Sequence, residues 1–171
     1  MLKFISALCL LIFFTAPAYS GTSWQGKVVY ITDGDTLWVQ PLQAMSRTND
    51  DKPRKIRIEG IDAPEICQLH GPQSKAALTQ LLAKQTVTVN SRRVDDYGRD
   101  VAKITFNQID VGTWMVSNGH AWSYHYRHSA GPYASEEQMA LAARRGLFAF
   151  TSPMEPRDFR KKHGSCHTPR N

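Results

Sequence analysis

Carboxylate and guanidinium side chains cluster in three short segments of the chain, each of which contains a glycine. The segments are 33–36 (DGDT), 57–65 (RIEGIDAPE) and 96–99 (DYGR). Binding and catalytic residues are often found on loops that a rigid scaffold presents to solvent. Two aspartates brought together by the fold would form a site of hard oxygen ligands, which suits Ca²⁺ or Mg²⁺ better than zinc or copper.

The same side-chain types match the needs of a phosphodiester substrate. Its hydrolysis is helped by a cation on the non-bridging oxygens, a base that activates water, and guanidinium groups that contact the charge developing at phosphorus. Asp35 and Asp62 can supply the cation site, and Glu65 can supply the base. Arg57 and Arg99 can hold the phosphate, since a planar guanidinium contacts two phosphate oxygens at once. Each segment alone is a common turn or surface feature, so the prediction depends on their joint presence.

Short strands with interleaved helices are predicted to position these segments. Strands are predicted over 27–31, 36–39, 54–61, 86–89 and 101–106. Helices are predicted over 72–84, 110–119 and 133–145, with Asp110 as the N-cap of the second. Residues 43–55 are predicted to form an exposed hairpin tip, and 92–100 a polar turn. The pattern favours a small barrel such as the five-stranded OB-fold over a doubly wound sheet.

The overall composition predicts a single globular domain that binds a polyanion. The chain has 171 residues, of which 42% are hydrophobic and 21% charged, and this excludes collagen-like, coiled-coil and wholly disordered proteins. The formal net charge of +6 favours nucleic acid, anionic lipid or acidic polysaccharide as the partner. Charge alone does not choose among these three classes.

The first twenty residues are predicted to be a secretory signal peptide. Lys3 precedes an apolar run over 4–14, and the small residues Ala18 and Ser20 follow it. That run is too short for a membrane span, which needs about 20 apolar residues. The predicted organisation is therefore a signal peptide at 1–20, a globular domain at 21–150 and a basic tail at 151–171, docked or mobile. We expect a secreted or periplasmic monomer that does not associate with a membrane after processing.

Two cysteines remain after removal of the signal peptide, Cys67 and Cys166. In an oxidising compartment they are candidates for a disulfide that ties the tail to the domain, and the alternative is two free thiols. Neither lies in a CxxC or histidine-rich pattern, so a zinc site is not expected.

As a set, the three segments resemble the staphylococcal nuclease (thermonuclease) family, over roughly residues 26–148. The pattern DGDT, then R-x4-D-x-P-E, then Y-G-R is specific to that family as a combination. The resemblance implies a five-stranded OB-fold barrel with about three α-helices. It also implies Ca²⁺-dependent hydrolysis of DNA and RNA with low sequence preference, because backbone contacts and stacking do not read base edges.

The resemblance also implies individual roles for nine residues. Asp35 and Asp62 match the calcium-binding aspartates, and Ala63 matches the position whose backbone carbonyl completes the metal site. The implied catalytic residues are Arg57, Glu65 and Arg99. The implied substrate-binding residues are Tyr97, near the substrate phosphate, and Tyr124 and Tyr126, as base-stacking side chains.

Two other functions are compatible with a small basic barrel. A non-catalytic OB-fold module could bind nucleic acid without cleaving it, but Asp35, Asp62 and Glu65, which such a module can lose, are all present. A basic protein of the cell envelope could bind acidic polysaccharide, which explains the charge and the signal peptide. That function leaves the carboxylates without a role, so we rank it last.

Overall fold

The computed structural model describes residues 22–42, 52–164 and 166. The predicted signal peptide, residues 43–51 of the predicted hairpin tip, and residues 165 and 167–171 of the predicted tail lie outside the described residues. The domain boundaries given above stay predictions.

Most strands of the described residues form a closed β-barrel, and the helices lie outside it. The strands are β1 (Thr22–Ile31), β2 (Thr36–Pro41), β3 (Arg54–Ile58), β4 (Ile61–Asp62), β5 (Thr86–Val94), β6 (Asp100–Phe106), β7 (Ile109–Asp110) and β8 (Trp122–Ser123). Antiparallel pairing gives the strand order β3-β2-β1-β5-β6, and a parallel pairing of β3 with β6 closes the barrel. The short strand β7 extends from β6, while β4 and β8 pair with each other outside the barrel. The predicted five-stranded barrel is confirmed.

Within the described residues, four α-helices surround the barrel. They are α1 (Gly71–Leu82), α2 (Val111–Ser117), α3 (Ala134–Ala142) and α4 (Pro156–His163), with a 3₁₀ turn at Gly146–Ala149. The predicted N-cap of α2 is present, because the Asp110 carboxylate accepts a hydrogen bond from the Thr113 amide at 2.9 Å. The fourth helix, α4, lies in the segment that was predicted only as a docked or mobile tail.

Apolar residues at alternate positions of the strands fill the barrel. Along β1, Trp24 and Val28 face the core, and a bulge after Val28 changes the phase so that Ile31 is buried instead of Tyr30. The largest fully buried side chains come from several elements and include Leu37, Ile56, Ile58, Leu78, Leu82, Ile104 and Met115. Burying a side chain of this size stabilises the fold by ~1.5–3 kcal/mol, so the barrel is a rigid support for the loops at its end.

Several predicted boundaries are wrong, including the start of the first strand, which is Thr22 instead of residue 27, and the end of α3, which is Ala142 instead of residue 145. Strand β5 continues to Val94, so the turn predicted over 92–100 spans only the residues between β5 and β6. A bulge between Ser91 and Arg93 lets this polar end of the strand stay paired with β6. The strand predicted over 54–61 ends at Ile58, because Gly60 takes a left-handed conformation with φ of 81° and turns the chain. No helix in the part of the chain described here is long and apolar enough to cross a membrane.

A disulfide joins Cys67, in the loop between β4 and α1, to Cys166, just after α4. The two residues are 99 positions apart in the chain. The link therefore fixes the end of the C-terminal helix against the loop that carries Glu65.

Thiol titration of denatured, unreduced protein that lacks residues 1–20 is expected to find neither Cys67 nor Cys166 free. On the chain-entropy model, closing a loop of this length stabilises the fold by up to ~4–5 kcal/mol, so reduction should lower the unfolding temperature. A double variant with serine at both positions is the control, and it should melt like the reduced parent. Two titratable thiols per chain would contradict the bridge.

Candidate active site

One open cavity of about 960 Å³ at the end of the barrel brings the predicted site residues together. Its lining includes all nine residues predicted to bind metal, catalyse or bind substrate: Asp35, Arg57, Asp62, Ala63, Glu65, Tyr97, Arg99, Tyr124 and Tyr126. They come from the β1–β2 turn, β3, β4 and the loop after it, the β5–β6 turn, and the segment that follows β8. Residues that are distant along the chain are thus neighbours in space.

The turn that carries Asp35 is held against the rest of the site by Gly34. A Cβ atom at this position would overlap the hydroxyl of Ser74 on α1 and lie 2.8 Å from the Ala63 side chain. Glycine therefore allows the β1–β2 turn to pack directly on α1 and on the segment that carries Asp62. Close packing of this kind leaves the turn little freedom to move away from the cavity.

Asp35 and Asp62 converge on one guanidinium. The Nη2 atom of Arg57 lies 3.1 Å from Asp62 Oδ1 and 3.3 Å from Asp35 Oδ2. Asp35 Oδ2 also accepts a hydrogen bond from the Ala63 amide at 2.9 Å, and Asp35 Oδ1 accepts one from the Thr36 hydroxyl at 2.9 Å. Both aspartates are buried, so these contacts fix the directions of their carboxylates.

Burial makes this acidic cluster costly to keep charged. Burial raises the pKa of the Asp62 carboxyl. The positive charge of Arg57 lowers this pKa, and the negative charge of Asp35 raises it further. Asp33, which the sequence analysis did not select, also lines the cavity and accepts a hydrogen bond from the Asp35 amide at 3.0 Å. Burial, followed by the charge of Asp35, raises the pKa of Asp33 to about 7. Its position as the first residue of the DGDT segment was the available signal.

The donors of this cluster fit a hard divalent cation. The carboxylates of Asp35 and Asp62 lie close together and partly desolvated, and oxygen donors of this kind suit Ca²⁺ or Mg²⁺. Among the residues that the structure describes, no three His, Cys, Asp or Glu side chains form a metal cluster by themselves. Backbone oxygens, such as the carbonyl predicted at Ala63, and water would have to complete the coordination shell.

The two predicted catalytic arginines are fixed by different contacts, since Arg57 is engaged at both Nη atoms, Nη2 by Asp35 and Asp62, whereas Arg99 is held through Nε. Arg57 Nη1 donates to the carbonyls of Ile58 at 3.0 Å and Ile61 at 2.8 Å, and its side chain is 16% exposed. Arg99 Nε donates to Asp95 Oδ2 at 2.8 Å, which leaves its two Nη atoms without a hydrogen bond to any described residue. Such fixed guanidinium groups are suited to contacting a phosphate in a defined orientation.

The three predicted substrate-binding tyrosines lie around the cavity with much of each ring exposed. Tyr97 is 84% exposed, and the Arg99 guanidinium lies 5.3 Å from the centre of its ring. Tyr124 and Tyr126 are 43% and 58% exposed. Exposed aromatic faces beside cationic groups are suited to stacking on bases, and the individual roles of the three stay predictions.

Arg160 of α4 also lines the cavity, although it is not among the predicted site residues. Its Nη1 atom donates to Glu65 Oε1 at 2.9 Å and to Asp62 Oδ1 at 3.3 Å, and its Nη2 atom donates to Asp62 Oδ2 at 3.1 Å. Burial opposes the charged form, but these two carboxylates outweigh it and raise the pKa of Arg160. No local motif distinguishes Arg160 from the other cations of the basic tail.

Part of the chain that lines this cavity matches a known protein family. A model of the staphylococcal nuclease homologue family matches residues 55–149, which is more than half of the chain. The chain belongs to the staphylococcal nuclease family. The matched segment contains Arg57, Asp62, Glu65 and Arg99, and it ends before α4 and Arg160.

The relatives of this chain differ in the share of their own length that aligns with it. A probable staphylococcal-like nuclease from rice (Oryza sativa subsp. japonica) is 36% identical over 107 residues, which are 63% of this chain but only 29% of the relative. A protein from Haemophilus influenzae named as an uncharacterized endonuclease is 32% identical over 160 residues, covering 94% of this chain and 86% of the relative. Protein ParB from Escherichia coli is 31% identical over 173 residues, covering 95% and 92%. At the level of the family, the prediction of a nuclease, a hydrolase acting on phosphodiester bonds, is confirmed.

Proposed function

We propose that the protein is a Ca²⁺-dependent nuclease that hydrolyses DNA and RNA with low sequence preference. The observation that supports this most directly is the convergence of two buried aspartates, a glutamate and two fixed arginines on one open cavity. The printed names of the staphylococcal-like nuclease and endonuclease relatives agree with it. An open cavity bordered by exposed aromatic rings suits a polynucleotide, which must lie across the site with its backbone accessible.

Each residue of the site has a defined part in this reaction. Asp35, Asp62 and the Ala63 carbonyl would hold Ca²⁺, which when bound supplies positive charge for the non-bridging phosphate oxygens. Glu65 accepts the proton of the attacking water, since a carboxylate near phosphorus can act as a general base. Arg57 and Arg99 donate hydrogen bonds to the phosphate oxygens, where negative charge grows in the transition state.

We also propose that the protein acts outside the cytoplasm as a monomer, free of the membrane once the signal peptide is removed. The apolar run that follows Lys3 and the small residues that end it support export. The disulfide between Cys67 and Cys166 agrees with an oxidising compartment.

Activity is expected to require Ca²⁺, with Mg²⁺ as a poor substitute. Two carboxylates, a carbonyl and water make a roomy oxygen site, whereas Mg²⁺ requires a tighter octahedron. Cleavage of plasmid DNA and of a structured RNA by the purified protein should be compared in Ca²⁺, in Mg²⁺ and in excess chelator. Calorimetric titration with Ca²⁺ alone gives a readout that is independent of turnover.

A variant with Asn at Asp35 is the control for the metal experiment, because the amide keeps the shape of the side chain but loses its charge. It should bind Ca²⁺ more weakly than the parent. Full activity in excess chelator would overturn the Ca²⁺ requirement, and equal rates in Mg²⁺ would remove the selectivity. Binding of nucleic acid in Ca²⁺ without any cleavage would identify the protein as a binding module instead.

A further inference from the structure

The Glu65 carboxylate has a single side-chain partner within the described part of the protein, which is Arg160. Glu65 lies in the irregular segment between β4 and α1, and its side chain is 23% exposed. A carboxylate in such a segment can adopt several rotamers unless another group holds it. The contact of 2.9 Å with Arg160 is therefore the interaction that selects its orientation.

Arg160 also brings Glu65 and Asp62 together. Its Nη1 atom lies 2.9 Å from Glu65 Oε1 and 3.3 Å from Asp62 Oδ1, so the two carboxylates share one donor. Two carboxylates that contact the same donor atom are close enough to repel each other, and the guanidinium between them offsets this repulsion. Arg160 therefore favours an arrangement in which Glu65 stays beside Asp62.

A disulfide and a hydrogen bond join the C-terminal segment to the rest of the domain and fix Arg160 at this point. The Cys67–Cys166 disulfide ties the chain after α4 to the loop that carries Glu65. Gln68 in the same loop donates from Nε2 to the Met154 carbonyl, just before α4, at 2.6 Å. Phe159, next to Arg160, lines an apolar cleft together with residues such as Trp122 and Leu147. The helix and the Glu65 loop are thus held together on both sides of Arg160.

We propose that Arg160 is a positioning residue that holds the Glu65 carboxylate beside Asp62, in the orientation needed to accept a proton from water. This inference rests on the proposed function, in which Glu65 is the general base. A general base must lie within about 2.6–3.2 Å of the oxygen that it deprotonates, and groups that orient reactive side chains commonly contribute about 10–100-fold to activity. The residue lies outside the segment that matches the family, so α4 adds it to the site.

The main test compares Arg160→Gln with Arg157→Gln. Arg157 is exposed on the same helix and does not line the cavity, so it controls for loss of one positive charge from α4. Arg160→Gln is expected to lower kcat by about 10–100-fold with KM changed less than about threefold. Ca²⁺ affinity, measured by calorimetry, should be equal or tighter, because a cation beside Asp62 is removed. Arg157→Gln should keep the kcat of the parent.

A double variant shows whether Arg160 acts through Glu65. In a Glu65→Gln background, adding Arg160→Gln should lower the residual kcat by less than about threefold, because effects that act through one residue are not additive. An equal fold-loss in both backgrounds would overturn the inference, as would a loss that falls on KM, which would assign Arg160 to substrate binding. A parental or higher kcat for folded Arg160→Gln would also overturn it.

The two proposals fail in different ways. A parental kcat for Glu65→Gln overturns the proposed base and the inference with it, whereas an inactive Glu65→Gln with a parental Arg160→Gln overturns the inference alone. Thermal unfolding of each variant shows whether it is folded. If Arg160→Gln does not fold, Arg160→Lys takes its place, since lysine keeps the charge but not the planar fork that contacts two carboxylates. The loss of kcat in Arg160→Lys should be smaller than in Arg160→Gln and should again disappear in the Glu65→Gln background. A loss of kcat that persists in that background overturns the inference.

Discussion

Glu65→Gln is expected to lower kcat by ~10²–10⁴ while Ca²⁺ binding and substrate binding stay close to those of the parent. The amide cannot take a proton from water, but its carbonyl can still accept the hydrogen bond that Arg160 donates to Glu65 Oε1. Because that contact is kept, the loss should report proton transfer and not a rearranged loop. Turnover at saturating substrate and calorimetric titration with Ca²⁺ measure the two effects separately.

Glu59→Gln is the matched control for this prediction. Glu59 lines the same cavity but forms its ion pair with Arg92, at 3.3 Å, instead of with the groups around Asp62. The variant removes the same charge and is expected to keep most of the turnover. A kcat for Glu65→Gln within a few-fold of the parent, or an equal loss in both variants, would show that Glu65 is not the base.

Arg99→Lys has the second largest expected effect, a loss of ~10²–10³ in kcat. Asp95 holds Arg99 through Nε at 2.8 Å, so that the Nη edge is left for the phosphate. Lysine keeps the positive charge, but it cannot contact Asp95 and two phosphate oxygens in the same planar arrangement. The loss should therefore appear in turnover more than in the affinity for substrate or in its dependence on salt.

Arg157→Lys is the control for Arg99→Lys, because it makes the same exchange at an exposed position away from the cavity. Its kcat, KM and salt dependence should match those of the parent. If Arg99→Lys keeps normal turnover and changes only the salt dependence of binding, Arg99 contributes general attraction for the polyanion and not transition-state contacts.

The chemistry of the site could be predicted from the sequence because it depends on residue types within short segments. Asp35 comes from one such segment, and Asp62 and Glu65 from another, and their spacing within a segment is unaffected by folding. The barrel was predictable for a related reason, since alternation of polar and apolar residues reports which face of each strand is buried. The N-cap at Asp110 follows a local rule and was predicted for the same reason.

Distances between segments were decided by the tertiary structure alone. The convergence of Asp35 and Asp62 on Arg57 depends on the closure of the barrel and on the direct packing of Gly34 against α1. The length of β5 depends on a bulge between Ser91 and Arg93 that could not be predicted from the residues of the strand itself.

Arg160 is the clearest case, because it lies 95 residues from Glu65 along the chain and donates to it at 2.9 Å. By sequence it is one cation among several in a basic tail, and no periodicity or local motif relates a tail residue to a loop of the barrel. The two cysteines indicated that the tail could be tied back, but not which side chain the tie would bring into the cavity. That was decided by the hydrogen bond between Gln68 and the Met154 carbonyl and by the Cys67–Cys166 bridge, which are long-range interactions formed only when the chain is folded.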